Sequence, residues 1–583
     1  MNIKFIPHVA VCALLVLAGC ESTPSAPVAA PKPVVDTYYG QSVTDPFRYF
    51  ENVKSDPDVM AWFKGQAAHT RAVLDSIPGR QGLYDEMLKY SNAAPNRITD
   101  VSEVPGRIFY EERKSGENQF KLYTRAGWNG EEKLLLDPDA WKDADGQPVA
   151  INFYAPSPLG KYVAVGVSHG GSENATIRII EVASGQDLGL TIKEARFGFV
   201  GWRDDETGFF YNQLKLRPGT PDPTLLYQES QIRYHKLGTD LANDPFVFGT
   251  DAPGSPKIAP EKIPQLGLEF GDSNVYGVVV DGVEPEIAVY VTSYAALDSG
   301  QPNWRKLIDF SDGITSFVPH GDDLYVITQQ DAPRFKVLHT KVSAPDFAHA
   351  DVVIAKGDAV VESLAEAQDG IYITLLDGGI NRLQRVAYTP GAKPEEVDLP
   401  LKGSILEMAT DKRLDGAALR LTAWTDVGGY YYFNPATNQT TDTHLQPKGP
   451  YDQPAGLVSE EVRVRAPDGV MIPMSIIHMK DVKLDGSNPC YVEAYGSYGI
   501  VDDVYFSPIY LPWYEHGGIY AVAHVRGGGA FGEEWHLAGQ KLTKPNTWRD
   551  LIACSQWLID NHYTSTPKLG INGGSAGGIT VGR

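Results

Sequence analysis

The sequence predicts a seven-bladed β-propeller followed by a doubly wound α/β domain. Between about residues 100 and 440, short strand patterns recur, each with an aromatic residue after a Gly, Asp or Asn turn. The marker tyrosines are 52, 49, 65, 49, 47 and 59 residues apart (Tyr110, Tyr162, Tyr211, Tyr276, Tyr325, Tyr372 and Tyr431). A repeat of about fifty residues is the length of a four-stranded propeller blade. We therefore assign the propeller to residues 91–450.

The composition excludes several classes of protein. The chain has 583 residues, with 51 Lys and Arg against 73 Asp and Glu, so its net charge is −22. Because nucleic-acid binding depends on neutralising phosphates, this acidic chain without a basic cluster is not expected to bind nucleic acid. A chain of this length buries enough apolar surface to fold without metals or disulfides. No Cys/His spacing is typical of a metal site, and we expect no metal and no cofactor.

The first twenty residues are typical of an export signal. A short positive segment at Lys4 precedes an apolar run that is too short to span a membrane. The ending Leu-Ala-Gly-Cys resembles the bacterial lipoprotein processing box, which implies cleavage after residue 19 and acylation of Cys20. Residues 20–34 would then be a tether on a membrane-anchored, periplasm-facing protein. The alternative is an ordinary cleaved signal with secretion to the periplasm and an incidental thiol at Cys20.

Two cysteines remain in the folded part of the chain, Cys490 and Cys554. Two cysteines far apart in sequence do not indicate a disulfide framework, although an exported protein could join them. We expect both to be buried as small hydrophobic side chains, and their pairing is left open.

After residue 450 the strand pattern alternates with helical segments. A hairpin, two apolar strands at residues 490–494 and 518–523, and a helix at residues 547–561 lead to a short strand at residues 569–572. Asn546 or Thr547 is the expected helix cap, with Asp550 in the first turn. Strands that alternate with helices favour a mostly parallel sheet.

The pattern Gly573-x-Ser575-x-Gly577 follows the last of these strands. A serine in this setting is the nucleophile elbow pattern of α/β-hydrolases. The elbow needs glycines because side chains at the flanking positions would collide with the neighbouring strand and helix. The N–H of Ala576 would then be free to donate to an oxyanion. A glycine-rich loop without a chemical role is the alternative, because this short pattern also occurs by chance.

At this point the chain resembles the prolyl oligopeptidase family of serine peptidases over almost all of residues 38–583. The motifs that carry the resemblance occur in the family's order, from the first segment through the propeller to the elbow. They are Tyr39-Gly40 with residues 43–51, Gly201-Trp202 with 210–212, residues 234–240, 495–499, 526–529, 531–536 and 573–578.

The resemblance implies a fold, an activity and a set of site residues. Residues 35–90 would pack on an α/β-hydrolase domain at residues 451–583, beside a propeller that admits only short peptides. The implied activity is endopeptidase cleavage, after proline, through an acyl-enzyme, by a monomer. Ser575 would be the nucleophile, and the Tyr495 hydroxyl with the Ala576 N–H would form the oxyanion hole. Tyr498 would line the S1 pocket, with plain core packing as its alternative. Family members often have Asn where this chain has Ala576.

A general base is missing from the expected place. In α/β-hydrolases the Asp and His follow the serine, but the eight residues after Ser575 contain neither. His562 should lie at the wrong end of the sheet, and His536 is a weak substitute, so both are expected to be ordinary histidines. We therefore expect a truncated, inactive chain whose strand at residues 569–572 presents an uncovered edge.

Two other functions stay open. The chain could be a non-catalytic lipoprotein whose propeller binds peptides. It could also be another hydrolase of this architecture, such as a dipeptidyl peptidase, an oligopeptidase B-like enzyme or an esterase. An aminopeptidase needs carboxylates that hold the free amine, and Glu111 and Glu112 are the nearest candidates. We expect these two side chains to be solvated instead, and the sequence locates no carboxylate pocket for basic residues.

Overall fold

The computed structural model describes residues 25–583, apart from residues 54, 142–145, 147 and 218–221. The predicted signal peptide and Cys20 lie outside the described residues. The chain divides into two compact units, Met1–Leu88 and Lys89–Arg583. In the described part, no helix combines the length and apolarity that a membrane crossing requires.

The first unit contains a hairpin and a long helix. Strands β1 (Val34–Tyr38) and β2 (Gln41–Asp45) pair antiparallel. Helix α1 (Pro57–Asp75) begins with proline at its first position, and the Asp56 carboxylate accepts the Asp58 N–H at 2.9 Å. This cap satisfies one of the N–H groups that a helix start leaves unpaired. Helix α2 (Arg80–Ser91) follows. The predicted packing of residues 35–90 on the hydrolase domain stays a prediction.

Seven four-stranded antiparallel sheets follow, one for each predicted blade. Blades 1 to 3 consist of β3–β6 (Asn96–Val104, Arg107–Lys114, Lys121–Arg125, Lys133–Leu136), β7–β10 (Val149–Pro156, Tyr162–His169, Thr176–Glu181, Gln186–Asp187) and β11–β14 (Val200–Trp202, Gly208–Gln213, Gln231–Lys236, Phe246–Gly249).

The remaining four blades have the same strand order. Blade 4 consists of β15–β18 (Ile263–Leu268, Asn274–Val280, Ile287–Ser293, Arg305–Ile308), and helix α3 (Tyr294–Asp298) follows β17. Blade 5 consists of β19–β22 (Ile314–His320, Asp323–Thr328, Lys336–Lys341, Asp351–Ile354). Blades 6 and 7 consist of β23–β26 (Val360–Ala367, Gly370–Asp377, Ile380–Val386, Glu395–Val397) and β27–β30 (Ser404–Ala409, Ala417–Ala423, Asp426–Asn434, Gln439–Asp442).

The predicted count of seven blades is confirmed, with one shift of phase in the repeat. The first six marker tyrosines lie on the second strand of their blades, whereas Tyr431 lies on β29, the third strand of blade 7. The corresponding second strand, β28, carries Leu419, which is fully buried. The last tyrosine step of 59 residues is therefore long because it reaches one strand further.

The last domain is a five-stranded sheet in the order β31-β32-β34-β33-β35. Its strands are β31 (Leu457–Arg465), β32 (Met471–Met479), β33 (Cys490–Glu493), β34 (Ile519–Ala523) and β35 (Leu569–Asn572). Its helices are α4 (Leu511–Glu515), α5 (Glu533–Leu537), α6 (Pro545–Asp560) and α7 (Gly577–Gly582). Two strand pairs are antiparallel and two are parallel, so the sheet is less parallel than expected. Strand β35 forms an edge, with Ile571 exposed.

Three local predictions need comment. Helix α6 begins at Pro545 instead of residue 547, because proline fits the first helical position, where no N–H donor is needed. The residue before the helix is Lys544 and not Asn546 or Thr547, and Asp550 lies beyond the first turn, where it is fully buried and pairs with Arg526. The prediction that Cys490 and Cys554 are buried is confirmed, and their pairing, which the sequence left open, is settled because both thiols are free.

The expectation that Glu111 and Glu112 are solvated is wrong. Both lie on β4 and are buried, with exposed fractions of 8% and 1%. Burial is the main cause that raises the pKa of Glu111 to about 8, with further increases from nearby Asp100 and Glu407. An inner blade strand is covered on both faces, so strand alternation does not bring every second side chain to solvent.

Candidate active site

Ser575 lies in a tight bend between β35 and α7. Its φ is 50°, in the left-handed region that non-glycine residues rarely adopt, and its side chain is exposed. A Cβ at Gly573 would come within 2.4 Å of the Gly577 carbonyl oxygen, and one at Gly577 within 3.0 Å of the Ala494 oxygen. The glycines are thus required by the neighbouring helix and strand, as the sequence pattern predicts.

Two hydrogen-bond donors lie beside this bend. The Ala576 N–H donates to no other described residue, while the N–H groups of Gly577 and Gly578 are already bonded within the turn. Tyr495 follows the end of β33, and its carbonyl accepts the Thr580 hydroxyl of α7 at 3.0 Å. The Tyr495 ring passes 3.4 Å from the Cβ position of Gly577. The predicted oxyanion donors are therefore neighbours of the Ser575 bend.

Tyr498 is not a core residue. Its side chain is 49% exposed, its φ is 58°, and it lines two cavities on either side of its ring. One of these cavities, of about 340 Å³, also contains Ala576 and Ile579. The core-packing alternative for Tyr498 is therefore wrong, and the ring faces the space in front of the elbow.

A half-buried lysine holds the Tyr495–Tyr498 segment in place. Lys544 donates to the Gly496 carbonyl at 2.6 Å and to the Ser497 hydroxyl at 2.9 Å. Burial lowers the pKa of Lys544. The sequence analysis missed this residue because the only local signal is a lysine before the proline that starts α6.

A network of ion pairs around Arg526 is linked to the same segment. The Arg526 guanidinium donates to Asp550 at 2.6 and 2.9 Å and to Asp468 at 2.6 Å, and the Arg526 N–H also reaches Asp550. Hydrogen bonds to both carboxylates raise the pKa of Arg526, whereas burial raises the pKa of Asp550 against the opposing effect of Arg526. The adjacent Gly527 carbonyl accepts the Gly499 N–H at 3.1 Å, which ties the network to the loop that carries Tyr498.

Neither candidate histidine binds Ser575. His536 is buried, with its Nδ1 atom 3.1 Å from Glu533 and its Nε2 atom 3.5 Å from the Gln540 amide, although it lines the same cavity as Ala576. His562 is exposed and precedes β35, at the end of that strand away from the elbow. Within the described residues, no imidazole or carboxylate forms a hydrogen bond with the Ser575 hydroxyl.

The second cavity beside Tyr498 is acidic. It has a volume of about 440 Å³ between the propeller and the hydrolase domain, and its described lining includes Glu362, Asp503 and Glu533 but neither Lys nor Arg. Burial raises the pKa of Glu362 to about 7, and Asp503 adds to the effect. Burial and Asp502 also raise the pKa of Asp503. The sequence analysis did not locate this carboxylate pocket, because its residues come from separate domains.

Comparisons with known proteins agree with this architecture. A family model described as "Prolyl oligopeptidase, N-terminal beta-propeller domain" matches residues 27–444, and one described as "Prolyl oligopeptidase family" matches residues 505–583.

Named relatives and solved structures point the same way. A prolyl endopeptidase of Elizabethkingia meningoseptica is 28% identical over 565 residues, covering 94% of this chain and 75% of the relative. A dipeptidyl aminopeptidase BI of Pseudoxanthomonas mexicana is 26% identical, with coverage of 97% and 77%. A solved structure from work on two prolyl endopeptidases superposes with a TM-score of 0.85 at 29% identity, covering 96% of this chain and 80% of that one. The chain thus belongs to the prolyl oligopeptidase family.

Proposed function

We propose that this chain is the propeller and nucleophile-bearing part of a serine endopeptidase that cleaves short peptides after proline. The observation that carries the proposal is the exposed Ser575 at φ 50°, beside an Ala576 N–H that has no partner among the described residues. The names of the prolyl endopeptidase relatives support the preference for proline.

The proposed chemistry follows from these positions. The Ser575 hydroxyl attacks the scissile carbonyl, and the oxygen that becomes negative accepts hydrogen bonds from the Ala576 N–H and the Tyr495 hydroxyl. The exposed Tyr498 ring offers a flat apolar wall for the proline ring. The new bond is an ester to Ser575, the amine half of the peptide leaves, and water then hydrolyses the ester.

Serine needs a base that accepts its proton, and an oriented imidazole is the usual one. Because no described histidine forms a hydrogen bond with the Ser575 hydroxyl, we propose that residues 1–583 alone do not turn over substrate. A fluorophosphonate probe should then label the 583-residue chain no more than it labels Ser575→Ala. Labelling of the wild-type chain well above that control would contradict this part of the proposal.

The test of the function uses a version extended past Arg583 by a segment that supplies an aspartate and a histidine. We expect it to cleave a blocked peptide after proline, with little cleavage after arginine, and Ser575→Ala to abolish the activity. Tyr495→Phe should lower kcat by about 10²-fold, as loss of one oxyanion donor does. Saturable peptide binding without turnover in the extended version would favour the non-catalytic alternative.

A second candidate is a hydrolase of this architecture that takes a cationic residue or a free amino terminus. The acidic cavity beside Tyr498 favours it, because Glu362 and Asp503 face that cavity without a lysine or arginine in its described lining. In the extended version, preference for arginine over proline, lost in Glu362→Gln, would replace the first proposal with this one. Cleavage of only X-Pro dipeptides with free amines would indicate a dipeptidyl peptidase.

We also propose that Cys20 is lipidated and holds the protein at a membrane facing the periplasm. The support is the sequence of residues 1–20 alone. Metabolic labelling with a fatty acid in a bacterial host should mark the wild-type chain and not Cys20→Ser. Equal labelling of both would contradict lipidation at this residue.

A further inference from the structure

A further cavity, distinct from the two beside Tyr498, lies in the propeller at one end of its central channel and away from Ser575. It has a volume of about 420 Å³ and is lined by residues from all seven blades. Four of these residues, Val104, Pro156, Trp202 and Leu268, are the last residues of the first strands of their blades. The first strands therefore surround the channel, and this cavity lies where they end. We call it the distal mouth.

The opposite ends of the same strands face the hydrolase domain. Ser404, the first residue of β27, accepts the Val504 N–H at 2.8 Å, and Val360, the first residue of β23, lines the acidic cavity with Tyr498. The distal mouth is thus the end of the channel away from the elbow. A ligand bound there would contact none of the residues assigned to peptide cleavage.

A buried carboxylate in the distal mouth is only half satisfied. Glu366, on β23, is 9% exposed, and its Oε1 atom lies 2.6 Å from His320 Nδ1. Its Oε2 atom is buried and accepts no hydrogen bond from an N–H group or a hydroxyl of the described residues. The His320 ring is fixed by a stacked Tyr388 ring at 3.6 Å. A buried carboxylate oxygen without a donor costs free energy that a suitable ligand would recover.

A second carboxyl group adjoins Glu366. Glu269 follows the end of β15, and its pKa is raised to about 8 by burial, by the neighbouring Glu366 charge and by a side-chain hydrogen bond with Glu366, through which the two carboxyl groups share a proton. The charged groups that face Glu269 are Glu366, Lys412 and Asp272, and within the described residues it forms no ion pair. Two adjacent carboxyl groups repel each other when both are ionised, and a cation that displaced the shared proton would offset this repulsion.

The cations already present do not fill this position. Arg413 is held by Asp411, donates to the Pro158 carbonyl at 2.8 Å and lies 4.3 Å over the Phe270 ring. Lys412 lines the cavity but pairs with no described carboxylate. No cluster of three or more His, Cys, Asp or Glu in the described chain suits a metal ion. The geometry therefore favours an organic cation.

We propose that the distal mouth binds an alkylammonium group, such as the lysine side chain of a peptide, through Glu366 and Glu269. A primary ammonium has three donors, enough for the free Oε2 atom and the second carboxyl. The apolar side chains of Leu268, Val318 and Leu364 also line the cavity and suit the methylene stem. The site is independent of the proposed peptidase function, because it contains neither Ser575 nor its neighbours.

Calorimetric titration of the 583-residue chain tests the proposal. The probe is N-acetyl-lysine methylamide, and the matched control ligand is N-acetyl-norleucine methylamide, which has the same stem without the amine. We expect saturable millimolar binding of the lysine compound and none of the norleucine compound. Alanine methylamide, which carries only an α-amine, should bind more weakly than the lysine compound.

Three variants locate the site. Glu366→Gln and Glu269→Gln should each weaken binding about tenfold or more, the loss expected for one charge-assisted bond. The exposed Glu396→Gln, on the same blade, should bind like the wild type, and Lys412→Met should bind several-fold more tightly because a competing cation is removed. Circular dichroism establishes that each variant is folded.

Several results would overturn the proposal. They are an absence of binding, equal binding of the norleucine compound, binding of alanine methylamide as tight as that of the lysine compound, and unchanged affinity in both folded glutamine variants. Equal weakening in Glu396→Gln would also overturn it, since a general loss of surface charge would then explain the effect.

Discussion

The hydrolase domain and the propeller each bury a carboxylate against a basic side chain, but they complete the bonding differently. Asp550 receives three hydrogen bonds from Arg526, one of them from its backbone N–H, so both carboxylate oxygens are used. Glu366 is bonded through one oxygen to His320, and its other oxygen accepts no hydrogen bond from an N–H group or a hydroxyl of the described residues. Asp550 is fully satisfied within the chain, whereas Glu366 keeps bonding capacity for another molecule.

The difference distinguishes a buried charge that stabilises the fold from one that is available to bind a ligand. A buried charge with all its bonds made fixes the groups around it, and here the Arg526 network holds the loop of Tyr498. A buried charge with a bond unmade costs stability in the free protein, and binding can recover that cost. Substitutions at each of these two clusters, and at an exposed ion pair, test this difference.

The largest effect is expected at the satisfied cluster. Asp550→Ala leaves the buried Arg526 without its main partner and should lower the free energy of unfolding of the hydrolase domain by about 3–5 kcal/mol. Urea denaturation followed by tryptophan fluorescence measures the loss. The matched control is Asp468→Ala, whose side chain is 46% exposed and should matter much less. An exposed ion pair usually contributes less than about 1 kcal/mol. A loss of that size in Asp550→Ala would show that the buried pair stabilises the fold no more than an exposed pair does.

An intermediate effect is expected at the unsatisfied cluster, and it depends on pH. The pKa of Glu269 is about 8 in the folded chain and near 4.5 ordinarily, so the folded state holds more protons between these values. Stability should therefore be greatest at the low end of this window and fall as pH rises through about 8. Glu269→Gln should remove a slope of at most about 1.4 kcal/mol per pH unit.

This pH effect is measured as the difference between the wild-type and Glu269→Gln stability curves. Other carboxyls titrate in both proteins and cancel in the difference. Parallel curves between pH 5 and 9, roughly the window that the linkage relation defines, would show that Glu269 ionises normally in the folded chain.

The smallest effect is expected at an exposed pair. Arg382 binds Glu396 through two nitrogen atoms, but both side chains are about two-fifths exposed, at 42% and 41%. Glu396→Gln should change the free energy of unfolding by about 0.5 kcal/mol or less, and by a smaller amount at high salt, which screens exposed charges. Thermal denaturation at two salt concentrations measures it. A loss of unfolding free energy close to that of Asp550→Ala would mean that burial does not determine how strongly an ion pair stabilises the fold.

The predictions from sequence succeeded where the signal was local. The glycines around Ser575 are required by atoms only a few residues or one strand away, so the motif already predicts the bend. The blade repeat was recognised by its period, but Tyr431 was placed one strand out of phase because spacing alone does not distinguish a second from a third strand. Glu111 and Glu112 were placed in solvent because alternation does not show which blades cover a strand.

Other site features have no local signal. Lys544 reaches the Tyr495 loop across 48 positions of sequence, and Tyr498 meets Glu362 only where two domains face each other. These contacts arise from how strands and loops are assembled, and no residue pattern near either position indicates them.

The sequence by itself determined the seven blades, the elbow glycines and the exposed serine, because each follows from a short period or from a steric conflict between near neighbours. Only the tertiary structure decided that Tyr498 faces a cavity and that Glu269, His320 and Glu366 meet. The last three residues occupy equivalent ends of successive blades, about fifty positions apart, and closure of a ring brings such ends together whatever the residues between them.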